Sequence, residues 1–94
     1  MRFNKGEKLA LKILPKLGFQ DITREKFVDF SAVYNGKRVL VEVKYRKRIS
    51  TSCKVTKKQL EEADFILIVN EKKHRLIHRS QVKNSEITDY RIFF

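Results

Sequence analysis

The chain has 94 residues, of which 22 are Lys or Arg and 11 are Asp or Glu, so its formal net charge at pH 7 is +11. That length suffices for a single domain over residues 1–94 and excludes a second core of useful size. The one Cys excludes an internal disulfide and favours a reducing, cytoplasmic location. No apolar run is long enough to cross a bilayer, so we expect a soluble domain with no membrane partner.

The first predicted element is a helix from about Lys5 to Leu14. Asn4 is a suitable N-cap, and Glu7, three residues later, completes a capping-box pair. Apolar residues recur at a helical period on one face, and lysines follow another. Pro15 is expected to end or kink the helix. A short strand is predicted at Phe19 to Thr23.

Two strand-type runs follow, Lys26 to Tyr34 and Lys37 to Tyr45, and Asn35-Gly36 joins them. Asn-Gly between such runs predicts a β-hairpin, because both residues accept the positive φ of a type I′ turn. A two-residue turn fixes the register of the hairpin. In that register Asp29 lies opposite Glu42 on the same face of the two strands.

The second half of the chain predicts one helix and three strands. Thr56 caps a short helix from about Lys57 to Ala63, and Gln59 completes its capping box. The fully apolar run Phe65 to Val69 predicts a central strand that is covered on both faces. The order of elements predicts an α/β fold in which helices flank a mixed β-sheet. The two remaining strands are expected at Arg75 to His78 and at Tyr90 to Phe94.

The positive charge is concentrated between Lys37 and Lys58, where nine residues are basic and Glu42 is the only acid. Such a stretch is either a solvated face or a surface for a polyanion, and its length and imbalance favour a nucleic-acid surface. The pattern points to phosphate binding and is silent on cleavage. The expected nucleic-acid-binding residues are Arg46, Lys47, Arg48, Lys54, Lys57 and Lys58.

The residues most suited to catalysis are Asp29, Glu42 and Lys44. Two carboxylates facing each other across a hairpin repel, and a divalent cation would offset that repulsion. Lys44 lies two residues from Glu42 and therefore projects from the same face. Two carboxylates and an ammonium suit metal-assisted hydrolysis of a phosphodiester. The alternative is a salt-bridge cluster on a solvated face.

The segment Val41-Glu42-Val43-Lys44, with Asp29 thirteen residues before Glu42, resembles the PD-(D/E)xK nuclease superfamily. That superfamily includes restriction endonucleases, archaeal Holliday-junction resolvases and Mrr-like enzymes. The resemblance implies an αβββαβ restriction-endonuclease-like core. It also implies that Asp29 and Glu42 bind Mg²⁺, for which Mn²⁺ substitutes, and that Lys44 is the catalytic lysine.

Two further residues match the superfamily, and two positions depart from it. Glu7 matches the acidic residue that many members have on the first helix, and Gln59 matches a polar residue that some members place beside the site. Both residues have an alternative role as capping-box partners. Val28 stands where the motif has proline, and Ala63 stands where a tyrosine would follow Gln59.

The sequence therefore predicts a Mg²⁺-dependent endonuclease that hydrolyses DNA. Structure-selective cleavage, as in junction resolvases, is expected because the chain has no spare domain for base recognition. A subunit of this size is expected to act as a homodimer, with Tyr90 to Phe94 at the interface. The alternative from another class is a non-catalytic nucleic-acid-binding module, which explains the charge and treats the pairing of Asp29 with Glu42 as coincidence.

Overall fold

The computed structural model describes residues 3–26, 28–49, 52–56, 61–81 and 91–93. No helix within these ranges has the length and apolar character needed to span a membrane. The elements are α1 (Lys5–Ile13), β1 (Gln20–Arg24), β2 (Phe30–Tyr34), β3 (Lys37–Tyr45), β4 (Ser52–Lys54), β5 (Phe65–Val69), β6 (His74–His78) and β7 (Arg91–Phe93), with 3-10 turns at Leu14–Leu17 and Arg79–Gln81.

Five strands form one mixed sheet in the order β1-β2-β3-β5-β6. Strands β3 and β5 are parallel, and the other neighbours in this sheet are antiparallel. Strands β4 and β7 pair separately as a two-stranded antiparallel sheet. The predicted α/β class with a mixed sheet is confirmed, and β5 is a central, fully buried strand as expected.

Helix α1 begins with the predicted capping box. The side chain of Asn4 accepts a hydrogen bond from Glu7 N at 2.8 Å, and Glu7 Oε1 accepts one from Asn4 N at 3.0 Å. Pro15 lies in the 3-10 turn that ends the helix, as expected. The first turn approaches β3 closely, because a Cβ added at Gly6 would lie only 3.1 Å from Tyr45 Cβ.

The two faces of the five-stranded sheet contact different apolar groups. Helix α1 covers one face, where Val41 and Val43 of β3 lie in a cluster with Ala10 and Leu14. On the other face Ile66 and Ile68 of β5 pack with the apolar residues Cys53, Val55 and Ile77. Side chains alternate along a strand, so the even-numbered residues of β3 project from the second face, away from α1.

Three expected elements differ from the structure or lie partly outside it. The strand predicted from Lys26 begins only at Phe30. The segment between Tyr45 and Lys57, for which no element is predicted, contains β4, which pairs with β7. Of the helix predicted at Lys57 to Ala63, the helical residues Glu61 and Glu62 are described, and residues 57–60 lie outside the described ranges.

Candidate active site

The hairpin register is the one that the sequence predicts. Asn35 and Gly36 have φ values of 52° and 78°, as a type I′ turn requires. The ladder runs from the Tyr34–Lys37 pair to the Phe30–Val41 pair without a shift. The next position on each strand is therefore Asp29 beside Glu42.

Asp29 replaces a backbone partner at the point where β2 begins. Its Oδ2 accepts a hydrogen bond from Val43 N at 2.7 Å. On the side of β3 toward β5, Leu40 N donates to Asp64 Oδ2, so the amides of odd-numbered β3 residues point toward β2. The Val43 amide lies beyond the last residue of the β2 ladder, and the Asp29 carboxylate supplies its acceptor. Because a side-chain acceptor takes the place of a backbone carbonyl here, β2 starts only at Phe30. The same hydrogen bond fixes the Asp29 side chain beside β3.

Glu42 is buried beside Asp29 and Lys44. Only 3% of Glu42 is exposed, and its carboxyl group lies within hydrogen-bonding distance of that of Asp29. Lys44 Nζ lies 3.9 Å from Glu42 Oε1, and 17% of the Lys44 side chain is exposed. The structure thus brings the three predicted residues together in one place.

The environment of Glu42 strongly favours its protonated form. Burial, followed by the hydrogen bond and the charge of Asp29, raises the pKa of Glu42 from 4.5 to about 8, while the Lys44 ammonium opposes the rise. Two close carboxyl groups in a poorly solvated site cannot both ionise at low cost, so Glu42 retains its proton to a higher pH than an ordinary glutamate. A bound cation could replace that proton.

Glu7 lines the same cleft but has other partners. A cleft of about 310 Å³ is bordered by Glu7, Asp29 and Glu42, together with cationic side chains. Oε1 of Glu7 accepts the capping hydrogen bond from Asn4 N, and its Oε2 lies 3.0 Å from Arg24 Nη2. The capping role proposed for Glu7 is thereby confirmed, and its side chain also forms an ion pair with Arg24.

The donor set at this cleft fits a hard divalent cation. Among the described residues no three His, Cys, Asp or Glu side chains are grouped to hold a metal. Asp29 and Glu42 are the pair of carboxyl groups that would hold a cation here. Mg²⁺ commonly binds one or two carboxylates and fills its other positions with water or phosphate oxygens. Both residues present oxygen ligands, and a cation would offset the burial of the Glu42 carboxyl group and its repulsion by Asp29.

The predicted nucleic-acid-binding residues occupy different environments. Lys47, Arg48 and Lys54 are exposed. Arg46 is half-buried, and its guanidinium donates to the carbonyl oxygens of Tyr45 at 2.7 Å and Lys54 at 3.1 Å. Arg46 therefore links the end of β3 to β4. Lys57, Lys58 and Gln59 lie outside the described residues.

Asn70 is a residue that the sequence reasoning missed. It is 6% exposed, and its Nδ2 donates to the carbonyl oxygens of Arg46 at 3.1 Å and Lys47 at 3.2 Å. Its Oδ1 accepts hydrogen bonds from Lys72 N and Lys73 N, both at 2.9 Å. An Asn directly after an apolar strand is typical of an Asx turn, which accounts for the bonds to the lysine amides. The bonds to Arg46 and Lys47 join distant segments and have no local signal.

Replacing Asn70 with alanine should lower the free energy of unfolding by about 2–4 kcal/mol, because four hydrogen bonds of a buried amide are lost. Chemical denaturation of both proteins measures the difference. Asn35→Gly is a suitable control, because this exposed turn residue already has a positive φ, and it should change stability by less than about 0.5 kcal/mol. An equal effect of the two substitutions would contradict the anchoring role of Asn70.

Arg24 and Lys26 also border the acidic cleft, although the sequence reasoning confined the basic surface to residues 37–58. Arg24 is the last residue of β1 and Lys26 follows that strand, and only the chain path brings them to the carboxylates. The cleft thus places the cations Arg24 and Lys26 beside the acids Glu7, Glu25, Asp29 and Glu42, and a site for a metal and a phosphate needs groups of both kinds. No protein-family model matches the chain, and no curated protein matches it significantly.

Proposed function

We propose that this protein is a metal-dependent endonuclease that hydrolyses DNA phosphodiester bonds. The observation that supports the proposal most directly is the buried Glu42 beside the half-buried Asp29, with the Lys44 ammonium 3.9 Å from Glu42 Oε1. A purely structural salt bridge needs one acid and one base, whereas this site places a second acid, Asp29, beside the buried Glu42. Two carboxyl groups this close destabilise the fold when both are ionised, and ionisable pairs of this kind are concentrated at functional sites.

Each of the three residues has a distinct role in the proposed reaction. Asp29 and Glu42 would hold Mg²⁺ or Mn²⁺, with Asp29 kept in place by its hydrogen bond from Val43 N. When bound, the cation would polarise the phosphate and lower the pKa of a coordinated water. The Lys44 side chain is 17% exposed, so its ammonium can orient the attacking water or stabilise charge that develops on the phosphate oxygens.

The element order also fits the nuclease proposal. Helix α1 precedes β1, β2 and β3, and β5 lies parallel to β3 after a crossover. This is the order expected of the αβββαβ core, and we propose that the chain adopts that restriction-endonuclease-like arrangement. Structure-selective cleavage by a cytoplasmic homodimer completes the proposal. The expected interface segment includes β7, which pairs with β4 within the chain, so size-exclusion chromatography with light scattering is the direct test of the dimer.

The proposal is tested by incubating supercoiled plasmid with the purified protein in Mg²⁺, in Mn²⁺ and in EDTA. Metal-dependent nicking by the wild type, and its loss in Asp29→Asn, is the expected result. Asparagine is preferred to alanine because its side-chain oxygen can still accept the hydrogen bond from Val43 N, while the negative charge is removed. Gel retardation without nicking in either metal would instead favour the non-catalytic nucleic-acid-binding module. Nicking by Asp29→Asn at the wild-type rate would remove Asp29 from the site.

A further inference from the structure

Asn70 joins two basic segments that are far apart in the sequence. Its Nδ2 holds the backbone of Arg46 and Lys47, and its Oδ1 holds the amides of Lys72 and Lys73. The backbone N–H of Asn70 also donates to Lys73 O at 2.9 Å, which closes the turn between β5 and β6. Because Asn70 is 6% exposed, this link is protected from water.

The parallel pairing of β3 and β5 places the two segments at the same edge of the sheet. Tyr45 and Val69 are register partners, and Arg46 N donates to Val69 O at 3.1 Å. The residues that follow, the loop after β3 and the turn after β5, are therefore neighbours. This edge lies beyond Glu42 and Lys44 in the direction in which β3 runs.

The one acid in the turn between β5 and β6, Glu71, is paired with a neighbouring lysine. Glu71 forms an ion pair with Lys5 at 2.5 Å and accepts hydrogen bonds from the Tyr45 hydroxyl. The hydrogen bonds from Lys5 and Tyr45 lower the pKa of Glu71 to about 2, so it remains ionised and paired with Lys5 at neutral pH. Its charge is therefore largely cancelled by Lys5, and the lysines beside it dominate the local potential.

Exposure confirms that the cations at this edge are accessible. Lys47, Arg48, Lys72 and Lys73 are all exposed, and so is Lys54, whose carbonyl Arg46 binds. The neighbouring apolar residue Ile49 packs against the core instead of projecting outward. A surface whose described members are cations, with its apolar neighbour Ile49 packed inward, suits a phosphate backbone better than a lipid bilayer.

We infer that Lys47, Arg48, Lys54, Lys72 and Lys73 form one composite basic surface that contacts the phosphate backbone of DNA. The inference rests on the proposed function for the identity of the nucleic acid. It adds Lys72 and Lys73 to the binding surface and makes Asn70 the residue that positions its two halves. Contacts of this kind fix the position of the DNA relative to the cleft and do not depend on base sequence.

The test is the salt dependence of DNA affinity for Lys72→Gln/Lys73→Gln, measured by fluorescence anisotropy with a labelled duplex in EDTA. The plot of log affinity against log salt concentration should become shallower by up to about 1.8, since each lost phosphate contact changes the slope by about 0.9. Both lysines are exposed and Asn70 binds only their backbone, so the fold should be unaffected.

Lys12→Gln/Lys16→Gln is the matched control, because it removes the same charge from two exposed lysines at the other end of the molecule. The first turn of α1 lies beside Tyr45, whereas Gly18, just after Lys16, lies beside the Tyr34 ring near the hairpin turn. The control should retain the wild-type slope. Equal slopes for wild type and Lys72→Gln/Lys73→Gln, or equal losses in both double variants, would overturn the inference.

The same experiment separates this inference from the proposed enzymatic function. Binding is measured in EDTA and needs no cleavage. If the protein does not nick DNA but shows the expected change in slope, the basic surface is supported and the enzymatic function is rejected. If the protein nicks DNA and the salt dependence of its affinity changes only when Lys47 and Arg48 are replaced, the enzymatic function is supported. The extension of the surface to Lys72 and Lys73 is then rejected. A wild-type protein that fails to bind the duplex at low salt would overturn the surface.

Discussion

Replacing Lys44 with methionine should lower the rate of metal-dependent DNA cleavage by about 100-fold or more. Methionine retains most of the volume of the side chain and removes the ammonium, which lies 3.9 Å from Glu42 Oε1. Removing one preorganised donor that stabilises developing charge typically costs about 10²–10³ in rate. The initial rate of plasmid nicking at saturating metal measures the effect.

The control for this variant is Lys37→Met, which removes an exposed lysine next to the hairpin turn, at the opposite end of β3. It should cleave within about threefold of the wild-type rate, because a single exposed charge far from a reacting group contributes little. DNA affinity in EDTA should be nearly the same for both variants, since phosphate-binding groups are distinct from the reacting ones. Wild-type cleavage by Lys44→Met would exclude Lys44 as the catalytic lysine.

The features that the sequence predicted correctly depend on local chemistry. Asn35-Gly36 has few alternatives to a type I′ turn, and the turn then fixes each pair along the hairpin. Asn4 and Glu7 satisfy each other within one helical turn. The site at Asp29 and Glu42 was predictable for the same reason, since it follows from the hairpin register alone.

The features that the sequence did not reveal depend on contacts between distant segments. The run before Phe30 has strand-type composition, yet the side chain of Asp29 replaces the backbone as acceptor for Val43 N. The pairing of β4 with β7 joins residues near the middle and the end of the chain. Short strands of this kind are specified by their partner and not by their own composition.

Charge counting likewise identified the basic surface only in part. Arg46 is counted as a cation, but its guanidinium binds two backbone carbonyls and links β3 to β4. Lys72 and Lys73 lie outside the basic stretch of the sequence and reach the surface through Asn70. For this reason, substitutions that remove charge from the loop after β3 should be made at Lys47 and Arg48 alone. They leave the hydrogen bonds from Arg46 to the two backbone carbonyls intact.

The metal-free protein should become less stable as the pH rises from about 5 to 8. The pKa of Glu42 is about 8 in the folded protein and 4.5 in its ordinary environment, so between these values the folded state binds more protons than the unfolded state. The free energy of unfolding then decreases with rising pH, by at most about 1.4 kcal/mol per pH unit for one proton. The stabilisation is complete below about pH 4.5 and is lost above about pH 8.

Glu42→Gln isolates this contribution, because glutamine has nearly the same shape and does not titrate. Chemical denaturation in EDTA should show that the stability of wild type relative to Glu42→Gln falls by roughly 2–4 kcal/mol between pH 5 and pH 8. The two curves should run parallel above about pH 9. All other titrating groups are common to both proteins, so their contributions cancel in the difference.

Added Mg²⁺ should reverse the loss at pH 8, because a cation that binds the folded carboxylate pair stabilises the protein by mass action. The gain should reach about 2.7 kcal/mol when the metal concentration is 100 times its dissociation constant, and it should increase with pH because the metal replaces a proton. In Glu42→Gln the gain should mostly disappear, so this variant is at least as stable as wild type in EDTA and less stable in Mg²⁺. Parallel pH curves for the two proteins in EDTA, together with equal metal effects, would mean that the pKa of Glu42 is not raised and that Glu42 binds no cation. The nuclease proposal would then lose its metal site.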